Sequence, residues 1–328
     1  MNKSDVIKLI FPAGVQAESV KETGSAFAPT NIALCKYWGK RCRDLNLPLT
    51  SSLSIALPNK GANTRLSFHT QDKVILNGKK LTTDSQFVKR LTQFLDMFRA
   101  KNTWHLLVDI EMNIPVAAGL ASSACGFAAL VLALDDFFGW HLPKQHLSIL
   151  ARLGSGSASR SLWNGFVEWH AGQQVDGMDS YAEPLAVVWP NLRVGILPLS
   201  QKEKPISSRE AMQRTVETSL LYQEWPKKVA QDMGYLKQAL AEKDFTLLGS
   251  TAESNALNMH ATMLSSWPPV CYFLPETVAA MQRIWQLRSE GCEIYFTQDA
   301  GPNLKLLFLE KDQMVVKSNF PEVDALAL

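Results

Sequence analysis

The chain has 328 residues, enough for one large core or two domains, and its 46% hydrophobic and 20% charged residues are ordinary for a globular protein. Its formal charge of +2, from 33 basic and 31 acidic residues, gives no whole-protein argument for binding nucleic acid or a membrane surface. Any recognition of anions must therefore be local.

The first half of the chain alternates strand patterns with helical stretches. Runs rich in β-formers predict strands at 52–57, 63–69, 73–81 and 103–112. Asn77-Gly78, inside the third run, is the pair typical of a two-residue hairpin turn. Helical periodicity covers 86–98 and 122–138.

After residues 192–198 the pattern becomes mostly helical. Amphipathic stretches predict helices at 208–223, 227–241, 244–263 and 276–290, and strand-like runs follow at 293–298 and 304–309. We expect two tightly packed α+β domains, residues 1–190 and 191–328, with the active site in the cleft between them.

Cysteine and histidine usage limits the chemistry further. The five cysteines and six histidines form no C-x-x-C pair and no Cys/His cluster. This argues against a zinc site and predicts reduced thiols in a cytoplasmic protein. The apolar segment 7–15 is too short to span a bilayer and lacks the architecture of a signal peptide.

The most informative segment joins the strand pattern ending near Met112 to the helical stretch that follows. It consists of Gly119, Leu120, Ala121, Ser122, Ser123 and Ala124. Small residues at a helix N-terminus expose backbone N–H groups to an anion, and serine hydroxyls can cap the helix or reach a phosphate or metal. The segment predicts a phosphate cradle, although a plain tight turn with a serine cap fits it equally well, and it matches neither a Walker loop nor a Rossmann fingerprint.

Segments in four separated regions together resemble one family. They are 28–41 (APTNIALCKYWGKR) with 48–54 (PLTSSLS), the cradle, 154–161 (GSGSASRS) and 299–303 (DAGPN). Their order and spacing are similar to those of the mevalonate diphosphate decarboxylases, members of the GHMP kinase superfamily. The resemblance covers about residues 28–308. It implies a GHMP-kinase-like fold. It also implies an enzyme that uses ATP to convert mevalonate 5-diphosphate to isopentenyl diphosphate, phosphate and carbon dioxide.

The resemblance implies three catalytic residues. Asp299 matches the family carboxylate that takes the proton of the tertiary 3-hydroxyl. Lys36 matches the cation that keeps this carboxylate ionised. Arg160 matches the guanidinium that binds the substrate carboxylate through two parallel hydrogen bonds. Each also has a structural interpretation: an Asx-type turn for Asp299, a lysine reaching solvent for Lys36, and a flexible Ser/Gly loop around Arg160.

The same resemblance implies the binding residues. Those expected at the substrate are Asn31, Tyr37, Trp38, Gly39, Lys40, Ser155, Gly156, Ser157, Ser208 and Arg209. An ordinary serine cap with a solvated arginine remains an alternative for the last two. The cradle is expected to hold ATP with Mg²⁺, and which of Ser122 and Ser123 approaches the phosphates stays open. We expect mevalonate 5-diphosphate and a second copy of the chain as partners, with neither nucleic acid nor a membrane.

Departures from the family pattern leave the substrate detail open. Cys42 replaces the usual aspartate, Thr50 the usual asparagine, and Gln298 an apolar residue. Besides the decarboxylase, two hypotheses survive: a kinase of the same superfamily that acts on mevalonate or its monophosphate, and a ligand sensor on this fold without catalysis. The joint presence of Lys36, Arg160 and Asp299 argues against the sensor.

Overall fold

The computed structural model describes residues 1–15, 20–99, 104–114, 122–202 and 204–327, except the side chain of Ser122. The strands are β1 (Thr23–Cys35), β2 (Lys40–Cys42), β3 (Leu47–Pro48), β4 (Ser52–His69), β5 (Lys73–Leu76), β6 (Lys79–Lys80), β7 (His105–Met112), β8 (Gly165–Trp169), β9 (Ala182–Pro184), β10 (Leu192–Leu197), β11 (Ile294–Gln298), β12 (Leu304–Leu309) and β13 (Asp324–Ala327).

The α-helices are α1 (Lys3–Ile10), α2 (Gln86–Leu95), α3 (Ser122–Phe138), α4 (Lys144–Gly154), α5 (Ser208–Thr218), α6 (Trp225–Glu242), α7 (Phe245–Leu264), α8 (Pro275–Ser289) and α9 (Gln313–Asn319). Short 3-10 helices cover Gly156–Arg160, Leu220–Glu224 and Glu310–Asp312. The expected mixture of helices and sheets in an α+β fold is thus confirmed.

Two sheets organise the chain. The larger has the order β6-β5-β7-β4-β8-β9, with β1 also paired to β4, and the smaller has the order β11-β12-β10-β13. Every strand of the larger sheet precedes residue 185, and every strand of the smaller one follows residue 191. The division at residue 190 stays a prediction, because one continuous cluster of buried side chains includes residues from both halves, such as Leu34, Leu248 and Tyr295.

The β1 strand carries the site and was not predicted. It pairs with β4 along almost its whole length, and the register shifts between Ala33 and Cys35, directly before Lys36. Such an irregularity re-aims the side chains that follow it. Since α3 packs on β1 and β4 while α7 packs on β1 and β11, the end of β1 lies where the two sheets approach each other.

The remaining predictions differ mainly at boundaries. The predicted strands 52–57 and 63–69 are one strand, β4, and the predicted helix 208–223 ends at Thr218 before a 3-10 turn. Asn77 and Gly78 both have positive φ, which confirms the hairpin turn. The helix predicted at 122–138 and the strand predicted at 304–309 have the predicted bounds.

Candidate active site

Asp299 and Lys36 form the centre of the site. Asp299 follows β11 in the turn to β12, where the Gly301 amide donates to the Asp299 carbonyl over 2.7 Å. Its carboxylate oxygen Oδ1 accepts from Lys36 Nζ at 2.7 Å, and the same ammonium donates to the Ala33 carbonyl at 2.8 Å. The described contacts of this carboxylate are with lysines, so the interpretation of Asp299 as an Asx-type turn residue and of Lys36 as a solvent-reaching lysine is wrong.

A second buried lysine faces the same carboxylate. Lys305, on β12 and 1% exposed, lies with Nζ 3.1 Å from Asp299 Oδ2. Burial alone raises the pKa of the Asp299 carboxyl, but Lys305 and Lys36 outweigh it and hold that pKa well below its usual range. The Asp299 side chain keeps 23% of its surface exposed. It is therefore an ionised carboxylate that remains open to a ligand.

The position of Lys36 is fixed from the second half of the chain. Its backbone N–H donates to Asn255 Oδ1 on α7 at 2.8 Å, and Lys36 is 2% exposed. Burial lowers the pKa of the Lys36 ammonium to about 8, although Asp299 acts in the opposite direction. His260 on α7 lies with Nε2 3.2 Å from the Asp299 carbonyl, and burial lowers its pKa to about 3, so this ring is neutral and donates the hydrogen bond.

Arg160 ends the 3-10 helix that follows α4. Its Nε and Nη2 donate to Asn31 Oδ1 at 3.2 and 3.1 Å, and Nη1 donates to the Ser52 hydroxyl. The guanidinium lies 5.8 Å from the Trp169 ring centroid and Arg160 is 3% exposed. The interpretation of this segment as a flexible surface loop is therefore wrong. Arg160 is held in one orientation by β1, β4 and β8.

The Ser/Gly loop meets the start of α3. The Ser123 hydroxyl lies 3.5 Å from the Ser155 hydroxyl, and Ser155 and Ser157 line the same cleft. Gly156 is required by packing, because an added Cβ would lie 2.8 Å from the Tyr37 hydroxyl. Ala124 is fully buried in α3. The other expected cradle residues, Gly119, Leu120, Ala121 and the side chain of Ser122, lie outside the described part of the chain.

Tyr37 and Trp38 follow β1 and line the cleft, whereas Gly39, also expected at the substrate, is not among the lining residues. Tyr37 packs edge-on against Trp169 at 4.7 Å, and burial raises the pKa of its hydroxyl above the usual range. Within the described residues, neither the Tyr37 hydroxyl nor the Trp38 indole N–H has a hydrogen-bond partner. Gly39 has φ +111° and packs against Tyr222, whose hydroxyl donates to the Trp38 carbonyl at 2.9 Å.

Lys40, Ser208 and Arg209 line the same cleft. Lys40 Nζ donates to Asn46 Oδ1 at 2.6 Å, and burial together with Arg209 and other cations lowers its pKa to about 8. Ser208 accepts from Lys204 Nζ at 2.7 Å near the start of α5. Within the described ranges, Arg209 has no ion pair or hydrogen bond, so its charge is available to an anion.

One cavity of about 730 Å³ brings these groups together. Its lining includes the expected residues Asn31, Lys36, Tyr37, Trp38, Lys40, Ser123, Ser155, Gly156, Ser157, Arg160, Ser208, Arg209 and Asp299. Residues 31–160 of this lining come from the first half of the chain and residues 204–300 from the second. The cavity has the size of a small-molecule site and is dominated by cations, which suits a ligand with several negative charges.

Sequence reasoning missed three further cations at the site. Lys305 had a signal, since it is a lone charge inside the apolar strand Leu304–Leu309 just after Asp299. Lys204, which also donates to the Ala300 carbonyl at 2.9 Å, and Arg90, on α2, both line the cavity without a motif that marks them.

Metal binding by the protein alone is not indicated. Over the described ranges, no group of three or more His, Cys, Asp or Glu side chains could hold a metal ion. Mg²⁺ fits the cleft as an ion bound together with ATP, because it commonly uses one or two protein oxygens and takes its other ligands from phosphates and water. Ser123 supplies a hydroxyl that lines the cleft, whereas both carboxylate oxygens of Asp299 already face lysines.

Comparison with known proteins agrees with this geometry. The model for the diphosphomevalonate decarboxylase-like N-terminal domain matches residues 28–182, and that for the mevalonate 5-diphosphate decarboxylase C-terminal domain matches residues 194–323. The diphosphomevalonate decarboxylase of Aspergillus fumigatus is 40% identical over 314 residues, which are 88% of this chain and 77% of that protein. The chain belongs to the diphosphomevalonate decarboxylase family.

Solved structures of diphosphomevalonate decarboxylases share the fold. The crystal structure of the enzyme from Staphylococcus aureus is 37% identical, with a TM-score of 0.87 over 93% of this chain and 95% of that one. The structure of MDDEF in complex with MVAPP, AMPPCP and magnesium is 39% identical, with a TM-score of 0.86 over 93% and 96% of the two chains. The expected GHMP-kinase-like fold is confirmed.

The expectation that the chain does not cross a membrane is tested here only for its helices. Among the helices that the structure describes, none combines the length and apolar character needed to cross a bilayer. The described cysteines are all free thiols, as expected for reduced cysteine. The homodimer and the cytoplasmic location stay predictions.

Proposed function

We propose that this chain catalyses the ATP-dependent decarboxylation of mevalonate 5-diphosphate to isopentenyl diphosphate. The observation that carries the proposal is the partly exposed carboxylate of Asp299, held between two buried lysines in a cleft that Arg160 also lines. Family membership supports it. A carboxylate for proton transfer and a fixed guanidinium for a second carboxylate are the two devices that this reaction requires.

Asp299 acts in the phosphorylation step. A tertiary alcohol is a weak nucleophile, so a carboxylate within hydrogen-bond reach must orient it and accept its proton as the oxygen attacks the γ-phosphorus of ATP. Lys36 and Lys305 keep Asp299 ionised, because both lower its pKa. Lys36 lines the same cleft, so its charge can also offset the negative charge of the transferred phosphoryl group.

Arg160 acts in the decarboxylation step. When the 3-phosphate departs, the C–O bond electrons leave with it and positive charge builds at the tertiary carbon. The bond to the carboxylate then breaks, its electron pair forms the new double bond, and carbon dioxide is released. Arg160, fixed by Asn31 and Ser52, holds the carboxylate in the geometry for this cleavage.

The phosphates are bound by separate groups. We assign the substrate diphosphate to Tyr37, Lys40, Ser208 and Arg209, and the ATP phosphates to the segment 119–124, with Ser123 as its described hydroxyl. Mg²⁺, when bound with ATP, neutralises charge on the phosphates during transfer. The chain's own cations orient the substrate so that its hydroxyl faces Asp299 and its carboxylate faces Arg160.

The test is product analysis with defined substrates. The protein is incubated with ATP, Mg²⁺ and, separately, mevalonate, its 5-monophosphate and its 5-diphosphate, and the products are identified by mass spectrometry. We expect isopentenyl diphosphate, ADP, phosphate and carbon dioxide from the diphosphate. ADP with a phosphorylated product that keeps its carboxylate would show a kinase, and no ADP with any of the substrates would leave the sensor hypothesis.

A further inference from the structure

A second cavity adjoins the active-site cleft. It has a volume of about 580 Å³ and shares Lys40, Asn46, Arg209 and Met212 with the cleft. Its own lining adds Asn2, Lys3, Ser4, Arg43, Asp44, Gln213 and Val216. The lining is therefore rich in cations at the end of the cleft to which we assign the substrate diphosphate.

The helix α1 supplies one wall of this cavity. This helix precedes residue 28, where the match to the family's N-terminal domain begins. The helix packs against the core, because Val6, Ile7 and Ile10 are buried and the ring centroid of Phe11 lies 4.9 Å from that of Trp140. Asn2 caps the helix by accepting from the Asp5 backbone N–H at 3.1 Å. Lys3 is thus presented from a fixed backbone.

The charge of Lys3 lacks a close carboxylate partner. Over the described residues, Lys3, Lys40, Arg90 and Arg209 form no ion pair within 4.0 Å. Burial and the neighbouring Arg209 and Arg90 lower the pKa of Lys3, and only Asp44 counteracts them. A cation at the first turn of a helix also opposes the helix dipole. Cations gathered in this way favour a polyvalent anion between them.

We propose that Lys3 contacts the terminal phosphate of the substrate diphosphate and makes this chain select the 5-diphosphate over the 5-monophosphate. The inference rests on the proposed function. Lys40 and Arg209, shared by both cavities, place the diphosphate at the boundary, and Lys3 lies beyond them, on the side of the second cavity. A monophosphate would engage the shared residues and leave Lys3 without a ligand.

The test compares K3Q with the matched control K8Q. Lys8 lies on the same helix and is exposed away from the core, so both variants lose one charge from α1. We expect K3Q to raise KM for mevalonate 5-diphosphate by about 3- to 10-fold, since Lys3 is half-buried and its contact is partly screened. In K3Q, kcat and KM for the 5-monophosphate should change by less than about twofold. In K8Q, kcat and both KM values should likewise change by less than about twofold. The variant K3R, which keeps the charge, should restore most of the affinity.

A binding measurement separates this inference from the proposed function. Calorimetry of the parent, K3Q and K8Q with inorganic pyrophosphate and with inorganic phosphate needs no turnover. Weaker pyrophosphate binding in K3Q alone, with phosphate binding unchanged, supports the role of Lys3 even if the parent releases no carbon dioxide. Equal pyrophosphate binding in K3Q and K8Q, or an equal loss for both anions in K3Q, would overturn it.

Discussion

Lys36 Nζ lies 2.7 Å from Asp299 Oδ1, although the two residues are 263 positions apart in the chain. The contact joins the end of β1 to the turn after β11 and so connects the large sheet to the small one. It is also the point at which the proposed base receives its charge partner. The proposed reaction and the contact between the two halves therefore share one ion pair.

Replacing Asp299 by asparagine removes the proposed base. We expect D299N to lower kcat by about 10²- to 10⁴-fold, the range for a lost general base. The unfolding midpoint should also fall, because Lys36 and Lys305 remain buried without their carboxylate. The control is D324N, which removes an aspartate paired with Lys60 at 2.7 Å outside the cleft. Parent-like kcat in folded D299N would exclude Asp299 as the base.

Replacing Lys305 by methionine tests the second lysine at the base. Burial raises the pKa of Asp299, and Lys305 is the largest of the effects that lower it. We expect the acidic limb of kcat/KM for K305M to move to higher pH, because Asp299 then takes up its proton more readily. The control K311M removes an exposed lysine that pairs with Glu293. An acidic limb unchanged in K305M would contradict the assignment.

The decline of kcat/KM at alkaline pH should report the deprotonation of two buried lysines. The pKa of Lys36 and that of Lys40 are each lowered to about 8, mainly by burial, so both ammonium groups are charged below that pH and neutral above it. We expect kcat/KM to decline as pH rises through about 8, and K40R to remove part of the decline because arginine stays protonated.

This decline should not reflect unfolding. The folded-state pKa of Lys36 is below its ordinary value of 10.5, so the unfolded chain binds more protons between about pH 8 and 10.5, and this group's contribution to stability rises with pH there. Circular dichroism across the same pH range provides the check. A kcat/KM value that is flat from about pH 7 to 9.5 would rule out a requirement for either charge.

Arg160 and Arg209 should give opposite kinetic signatures. Arg160 is buried and fixed by Asn31 and Ser52, so R160Q is expected to misplace the substrate carboxylate and lower kcat by roughly 10²-fold, with ATP affinity kept. Arg209 is exposed and is proposed to make a charge-assisted contact with the diphosphate, for which about 1.5–3 kcal/mol is typical, so R209Q is expected to raise KM. Steady-state assays that vary mevalonate 5-diphosphate at saturating ATP measure both. The reversed pattern would mean that the substrate lies the other way round.

Replacing Gly39 by alanine should destabilise the protein. An added Cβ would lie 1.6 Å from the Tyr222 hydroxyl, and φ is +111°. We expect G39A to lower the free energy of unfolding by about 2–4 kcal/mol, from backbone strain and overpacking together. The control G165A carries a positive φ of +74° in open space and should show about 1 kcal/mol from strain alone. Equal denaturation midpoints for the two variants would argue against the Tyr222 contact.

The sequence predicted the elements whose signals are local. The helix at 122–138 has an apolar surface all round and the hairpin at Asn77-Gly78 has a specific turn pair, so both could be located without tertiary information. The β1 strand was missed because its residues are small or polar at many positions and are buried by the neighbouring β4 rather than by an alternating pattern.

The site residues that could be predicted from the sequence are those that lie in a recognisable motif. Asp299, Lys36 and Arg160 lie in recognisable segments and line one cleft. Lys204 and Arg90 reach the same cleft from segments with no motif, because their positions depend on how α2 and the loop before α5 pack. The same holds for Lys3, whose helix joins the site only through packing against the core.

The coupling of carbon dioxide release to ADP formation tests the central claim most directly. Mevalonate 5-diphosphate labelled at its carboxyl carbon is incubated with ATP, Mg²⁺ and the protein, and labelled carbon dioxide and ADP are measured over the same time course. We expect equal amounts of the two in the parent, and a parallel loss of both in D299N. ADP formed without labelled carbon dioxide in the parent would contradict the account.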